Sequence, residues 1–211
     1  MHLEILVEEP SAAALLQTLI PDIVGPEVSF EIRVFQGKDD LLRALPDRLR
    51  AYPQWLPHAY GPEWCVVVLV DEDREDCHVL KRRMDGFAHD AGLTTRGDVG
   101  TGAPAPYRVV NRIAVEEIEA WYFGDTEALR AAYPRIPASL GAKAAYRDPD
   151  AIGGGTWEAM ERELRGYYPG GLPKVELARR IAPHLDPDRN RSPSFQCFRD
   201  ALRDLAPDEA R

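Results

Sequence analysis

Acidic side chains follow two of the most apolar segments of the chain. Glu8 comes directly after segment 3–7, and Asp71 and Asp73 come directly after the continuously apolar run 65–70. In open α/β sheets, ligands bind outside the carboxyl ends of the strands, so we expect these three carboxylates to face one crevice. Carboxylate oxygens without a nearby set of His or Cys ligands favour Mg²⁺ or Mn²⁺ over Zn²⁺. The sequence therefore predicts a metal site held by Glu8, Asp71 and Asp73.

The crowding of charge after the second segment supports a bound cation. Five of the six residues in segment 71–76 are acidic, and two like charges about 4 Å apart repel by about 4 kcal/mol at an effective dielectric of 20. A divalent ion would offset that repulsion. Asp71 and Asp73, two residues apart in an extended chain, can project to the same side. The alternative for either cluster alone is that its acids cap the next helix or face water.

A third group of acids, Glu116, Glu117 and Glu119, follows a predicted strand at 107–115 and opens a predicted helix at 116–123. It could add a carboxylate to the same crevice. A solvated helix face explains these residues equally well, because the helix dipole favours acids in a first turn.

Several basic or polar residues are candidates for phosphate contact. Lys38 follows a Gln-Gly pair, Lys174 follows a Gly-Gly-Leu-Pro turn at a predicted helix start, and Arg191 and Ser192 lie nearby in the C-terminal part. Segment 174–203 contains seven basic and four acidic residues and is the one candidate for a basic stripe that guides a nucleic acid. Each of these residues is also an ordinary surface type.

A glycine run, 153–155, precedes Thr156 but lacks the Gly-Lys-Ser/Thr ending of a P-loop. An ATPase is therefore not supported, and Thr156 is expected to be a helix N-cap.

The bulk composition limits the function classes. The chain has 211 residues and a formal net charge of −9, which argues against generic coating of DNA or RNA, because nonspecific affinity comes from Lys and Arg on phosphates. The apolar run 65–70 is far shorter than the roughly 20 residues that a membrane span needs. No signal peptide is evident, and three cysteines without paired spacing favour reduced thiols. We expect a cytoplasmic protein without a membrane partner.

The hydrophobic pattern alternates strands with helices. Strands are predicted at 3–7, 28–35, 64–70 and 107–115, with 28–35 near an edge and 64–70 at the centre of the sheet. This order predicts an α/β fold, a doubly wound and mainly parallel sheet flanked by helices. A polar, Gly- and Pro-rich loop is predicted at 94–106. Helices dominate from residue 126 (126–133, 156–167, 174–184 and 194–205), so we divide the chain into an α/β domain, 1–125, and a helical extension packed on it, 126–211.

The spacing of the acids resembles a known domain. A Glu after a first strand and an Asp-x-Asp pair after a later buried strand are similar to the Toprim domain of topoisomerases, primases and overcoming-lysogenization-defect nucleases. More closely, the chain resembles the bacterial family called domain of unknown function 4276. The motifs that carry this resemblance are ILVEEPS (5–11), QGK (36–38), LVDEDR (69–74), NRIAVEEIEAW (111–121) and NRSPSF (190–195).

The resemblance implies a Toprim-like fold and roles for particular residues. Glu8 would be the general acid/base, and Asp71 and Asp73 would hold Mg²⁺. Related nucleases with an additional carboxylate make Glu117 the choice among the third group of acids, and their lysine near the metals makes Lys174 a candidate to stabilise developing charge. Many Toprim proteins have Gly after the first Glu, whereas this chain has Glu9, so close approach of the backbone to a phosphate is less assured.

We therefore predict a Mg²⁺- or Mn²⁺-dependent nuclease or related phosphotransferase. Its substrate would be DNA or RNA, bound in part by Lys38, Arg191 and Ser192. The resemblance also implies a role in phage defence beside an ATPase partner. The alternative is a non-catalytic, Toprim-derived regulatory or binding subunit of an ATPase system.

Overall fold

The structure is a computed structural model, which describes residues 1–73, 75–99 and 107–205. A four-stranded, entirely parallel sheet has the order β2-β1-β3-β4. Its strands are β1 (His2–Val7), β2 (Ser29–Val34), β3 (Trp64–Asp71) and β4 (Val109–Ala114). β3 is buried along its whole length because its apolar, branched residues meet helices on both faces. The predictions that β3 is central and β2 is an edge strand are confirmed.

Helices cover both faces of the sheet. The helix α1 (Pro10–Val24) packs on the face that contains Leu3, Ile5 and Val7. The helices α2 (Lys38–Tyr60) and α3 (Cys77–Asp90) pack on the opposite face, with Leu6 and Val68. Successive strand residues point to opposite faces, so each strand contributes to both hydrophobic layers. The predicted α/β class, a parallel sheet wound with helices on both sides, is confirmed.

The C-terminal part is helical and shares the core of the sheet. It contains α4 (Glu119–Gly124), α5 (Thr126–Ala132), α6 (Thr156–Leu164), α7 (Lys174–Ile181) and α8 (Pro193–Arg203), joined in part by short 3-10 turns. The helix α7 packs on α1, and α8 packs on β4. Leu177 and Phe195 lie in the same continuous hydrophobic cluster as Leu15. The boundary at residue 125 stays a prediction.

Two local predictions were wrong. The helix predicted from residue 116 begins at Glu119, because Glu116 has a left-handed backbone (φ 61°) and its N–H donates to the Glu72 carboxylate at 3.1 Å. Thr156 is the first residue of α6 rather than its N-cap, which is Gly155 at φ 92°. The predicted loop at 94–106 includes a short 3-10 helix at Arg96–Val99, and its residues 100–106 lie outside the described part.

In the described residues, no helix combines the length and the apolar character that crossing a membrane requires.

Candidate functional site at the switch point of the sheet

The order of the strands in the sheet changes direction at β1, because β2 and β3 pair with opposite edges of this strand. From β1 the chain passes to β2 on one side, and β3 then pairs with β1 on the other side. In open parallel sheets this switch point forms a ligand crevice at the carboxyl ends of the strands. Glu8 directly follows β1, and Asp71 is the last residue of β3. The strand order therefore sets the first two predicted site residues at the crevice.

Glu8 and Asp71 are in direct contact across this switch point. The backbone N–H of Asp71 donates a hydrogen bond to Oε1 of Glu8 at 2.5 Å. The two residues are only 8% and 9% exposed. Burial is the main cause that raises the pKa of both carboxyls, well above the ordinary value for Asp71. Two buried carboxyls close enough for the charge of Glu8 to raise the pKa of Asp71 are costly to a fold and are typical of functional sites.

Asp73 lies in a tight turn after β3 and pairs with a lysine. Its backbone is left-handed (φ 54°), and its N–H donates to the carbonyl of Glu116 at 3.0 Å. Oδ2 of Asp73 lies 2.5 Å from Nζ of Lys38, whose side chain is 9% exposed. Lys38 was predicted to contact a phosphate; the structure brings it to the same edge of the sheet as Asp71, against the acids that follow β3.

Lys174 reaches the other side of the acidic cluster. Its Nζ lies 3.5 Å from the Glu9 carboxylate and 5.0 Å from the centre of the Trp157 ring. Burial lowers the pKa of Lys174, but the nearby carboxylates of Glu119 and Glu9 outweigh it and leave the pKa raised. The ammonium group is therefore held charged within an acidic surrounding. The structure places Lys174 beside these acids, and its predicted catalytic role stays a prediction.

Glu117 connects the site to α6. Its Oε2 accepts hydrogen bonds from the Thr156 hydroxyl at 3.0 Å and from the Trp157 N–H at 2.9 Å. The side chain therefore caps the start of α6, as an acid at a helix N-terminus does. An open cleft of about 370 Å³ lies beside it, lined by Asp73, Glu116, Glu117, Gly154, Gly155 and Glu158. Glu117 borders the same cleft as Asp73, but one of its oxygens has a structural role.

Glu119 belongs to the third group of acids, from which the sequence analysis chose Glu117 as the site residue. It is 1% exposed, and its Oε2 has no hydrogen-bond partner among the described residues. Burial, opposed by Lys174, raises its pKa to about 7, and its charge contributes to the raised pKa of Asp71. In the sequence, Glu119 differs from Glu116 and Glu117 because it directly precedes the apolar residues 120–123, all of which are buried.

The remaining candidates, Arg191 and Ser192, are held by contacts outside the acidic crevice. Ser192 is fully buried; its hydroxyl caps α8 by accepting from the Phe195 N–H at 3.1 Å and donates to Asp150 at 2.6 Å. Arg191 is exposed, and its backbone N–H donates to the Gly124 carbonyl. Neither residue has a hydrogen bond or ion pair with Glu8, Asp71 or Asp73. Their predicted contact with phosphate stays a prediction.

The predicted basic stripe is largely neutralised within the chain. Arg189 binds the buried carboxylate of Asp125 with two hydrogen bonds of 2.8 Å, and Arg203 binds Asp188 at 2.6 Å. Arg199 pairs with its neighbour Asp200. These guanidinium groups already have acidic partners, so segment 174–203 presents less free positive charge than its composition indicates.

The donor set at the switch point consists of carboxylate oxygens, which suit Mg²⁺ or Mn²⁺. The orphaned, buried Oε2 of Glu119 is an acceptor that a cation or a donor would satisfy. Within the described ranges, no three His, Cys, Asp or Glu side chains are arranged as a ready cluster for a metal ion. The residue types therefore fit a divalent ion, and binding would require their side chains to rearrange.

The fold and the site define an α/β protein with an acidic crevice at the switch point of a parallel sheet. The family model called domain of unknown function (DUF4276) matches residues 7–203, and the chain belongs to this family. Among solved structures, the C-terminal region of the OLD protein of Xanthomonas campestris pv. campestris is similar, with 19% identity and a TM-score of 0.45 over 96% of this chain and 93% of that one. No curated protein matches the chain.

Proposed function

We propose that the protein is a metal-dependent nuclease, or a related phosphotransferase, that acts on phosphodiesters of a nucleic acid. The observation that carries this proposal is the direct contact of Glu8 with Asp71 at the switch point. Lys174 lies near enough to Asp71 for each to influence the pKa of the other. Buried acids beside a charged lysine form the kind of arrangement that binds a cation and a phosphate together.

The proposed roles follow the resemblance to Toprim enzymes. Glu8 is the general acid/base, and Asp71 and Asp73 hold the ion, with Glu117 as a further carboxylate at the cleft. A divalent ion supplies Lewis acidity and neutralises charge on the phosphate. Lys174 stabilises charge that develops on the phosphate oxygens, which is how preorganised cations contribute to phosphoryl transfer.

A pair of arginines supports a contact with the nucleic-acid backbone. Arg135 lies 3.9 Å and Arg180 lies 5.9 Å from the centre of the Tyr167 ring. Both are exposed, and neither has a carboxylate partner within the described residues. Arg180 follows Lys174 by six residues on α7, an axial rise of about 9 Å. Two exposed cations held against one aromatic ring are candidates for contacts with the phosphates of a bound strand.

A second candidate is a non-catalytic subunit that regulates an ATPase partner. The absence of a ready three-ligand metal cluster in the described part of the chain favours it, as does the net charge of −9. In this case the acidic crevice would dock a basic segment of the partner. The resemblance to nucleases that work beside an ATPase in phage defence applies to both candidates.

The two candidates are separated by cleavage assays on plasmid, single-stranded DNA and total tRNA with Mg²⁺ or Mn²⁺. A nuclease cleaves at least one substrate, and Asp71→Asn abolishes cleavage while leaving the circular dichroism spectrum unchanged. Asp90→Asn is the matched control, because Asp90 is an exposed acid at the end of α3. Cleavage that persists in Asp71→Asn overturns the proposed active site, and no cleavage of any substrate favours the regulatory subunit.

A further inference from the structure

The Lys38 ammonium group is surrounded by oxygens of the turn that follows β3. Its Nζ lies 2.5 Å from Oδ2 of Asp73, 3.0 Å from the carbonyl oxygen of Glu72 and 3.8 Å from Oε1 of Glu75. Two carboxylates and one carbonyl around a single positive charge are also the ligand types that a hard divalent cation takes. The Lys38 ammonium group therefore occupies a position whose oxygens would also suit a divalent cation.

Two turns hold this arrangement in place. Gly37 precedes Lys38 at φ 92°, a conformation that glycine adopts without strain, and its N–H donates to the Glu8 carbonyl at 2.8 Å. The first residue of α2 is thereby fixed at the end of β1. On the other side, the left-handed Asp73 turns the chain so that its carboxylate meets Nζ. The pairing joins the segment that follows β2 to the turn that follows β3, across the end of β1.

We propose that Lys38 is an internal counter-cation, which a divalent ion must displace from Asp73 when it binds. This inference rests on the proposed function, because it concerns the same acidic crevice. The Lys38 ammonium group and a divalent ion compete for the same contact position on Oδ2 of Asp73, and two cations at contact distance repel. Asp73 is 52% exposed, so an ion reaches it from solvent. The flexible stem of lysine lets the ammonium group leave without moving α2.

The displacement has two consequences. The metal affinity of the wild-type protein is reduced by the population in which Lys38 occupies the oxygens. The released ammonium group stays tethered at the edge of the crevice, where it can meet a phosphate. Metal binding and phosphate binding would then be coupled through one side chain.

The test combines Mn²⁺ titration by calorimetry with chemical labelling of lysines, read by mass spectrometry, on the full chain. We expect Mn²⁺ to raise the acetylation rate of Lys38 several-fold in the wild-type protein. Lys81, which pairs with Asp85 at 2.5 Å on α3, is the internal control and should be labelled equally with and without Mn²⁺. We also expect Lys38→Met to bind Mn²⁺ at least fivefold more tightly than wild type, and Lys81→Met to bind it as wild type does.

The outcomes separate this inference from the proposed function. Mn²⁺ binding by wild type with no change in Lys38 labelling shows that the pair is only structural, and it overturns the inference while the metal site stands. The inference is also overturned, and the metal site still stands, if Lys38→Met binds Mn²⁺ no more tightly than the wild-type protein does. If neither protein binds Mn²⁺, the metal site itself is wrong and the inference falls with it. The labelling arm needs no variant, so a Lys38→Met protein that fails to fold does not remove the test.

Discussion

Glu119→Gln is expected to become more stable relative to the wild-type protein as the pH rises from 5 to 8, in the absence of metal. The side chain is 1% exposed, and burial raises its pKa from 4.5 to about 7. A carboxyl whose pKa is higher in the folded state contributes stability below its unfolded pKa and loses it as the pH rises through the folded pKa. The relevant window is therefore from about pH 4.5 to about pH 7. In this window the wild-type protein loses stability that the Gln variant keeps.

The magnitude follows from the same two pKa values. The raised pKa of Glu119 costs the folded protein about 3 kcal/mol at pH 8 and about 1 kcal/mol at pH 5, so the difference between variant and wild type should change by about 2 kcal/mol between these conditions. The amide of Gln also lacks a partner in this position, which shifts both values by about 1 kcal/mol but leaves their difference. Only the change with pH in the stability difference between Glu119→Gln and wild type therefore tests whether Glu119 is ionised while buried.

The assay is urea unfolding followed by circular dichroism, at pH 5 and pH 8, for wild type, Glu119→Gln and Glu27→Gln. Glu27 is an exposed carboxyl and serves as the matched control. An equal stability difference for Glu119→Gln at both pH values would refute the reasoning, because it would mean that the buried carboxyl is not forced to ionise at a cost.

Two further predictions concern the C-terminal part. Asp125→Ala should lower the free energy of unfolding by about 3 kcal/mol, because its buried carboxylate accepts two hydrogen bonds from Arg189, one from the Ala128 N–H and one from the Asp186 N–H; a loss below about 1 kcal/mol in urea unfolding would contradict it. The double variant Arg135→Ala/Arg180→Ala should weaken binding of a fluorescent single-stranded oligonucleotide and reduce the slope of log affinity against log salt by about 1.4, or about 0.7 for each phosphate contact. The control is Arg43→Ala/Arg50→Ala, which removes two exposed arginines paired with Asp40 and Asp47 and should leave the slope unchanged. Equal slopes for the two double variants would exclude Arg135 and Arg180 as phosphate contacts.

The sheet and the first two site residues could be predicted from the sequence because their signals are local. A run of branched apolar residues marks a buried parallel strand, and Glu8 and Asp71 stand at the ends of two such strands. The switch-point rule then brings strand ends together without any knowledge of side-chain contacts. The contact between Glu8 and Asp71 is a direct result of the β2-β1-β3-β4 order.

The start of α4 could not be predicted because its cause is not local. The pattern of three acids after β4 is typical of a first helical turn. The chain instead makes a left-handed turn at Glu116, which is fixed by hydrogen bonds with Glu72 and Asp73 from the neighbouring strand end. These contacts join residues more than 40 positions apart, so no window of the sequence contains both partners.

The pairing of Lys38 with Asp73 was missed for a related reason. The sequence marked each residue as a candidate for the site, one for a phosphate and the other for a metal. Only the parallel arrangement of β2, β1 and β3 places the start of α2, which follows β2, against the turn after β3. Which opposite charges neutralise each other within the chain, and which stay free for ligands, depends on this tertiary placement.

Calorimetric titration of Mg²⁺ or Mn²⁺ into wild type and Asp71→Asn tests the central claim most directly, with Asp90→Asn as the control. Asp71 is buried at the switch point beside Glu8, so we predict saturable binding by wild type and by Asp90→Asn, and loss of that binding in a folded Asp71→Asn protein. Equal binding by all three proteins would place the metal elsewhere, and no binding by folded wild type would contradict the metal site altogether.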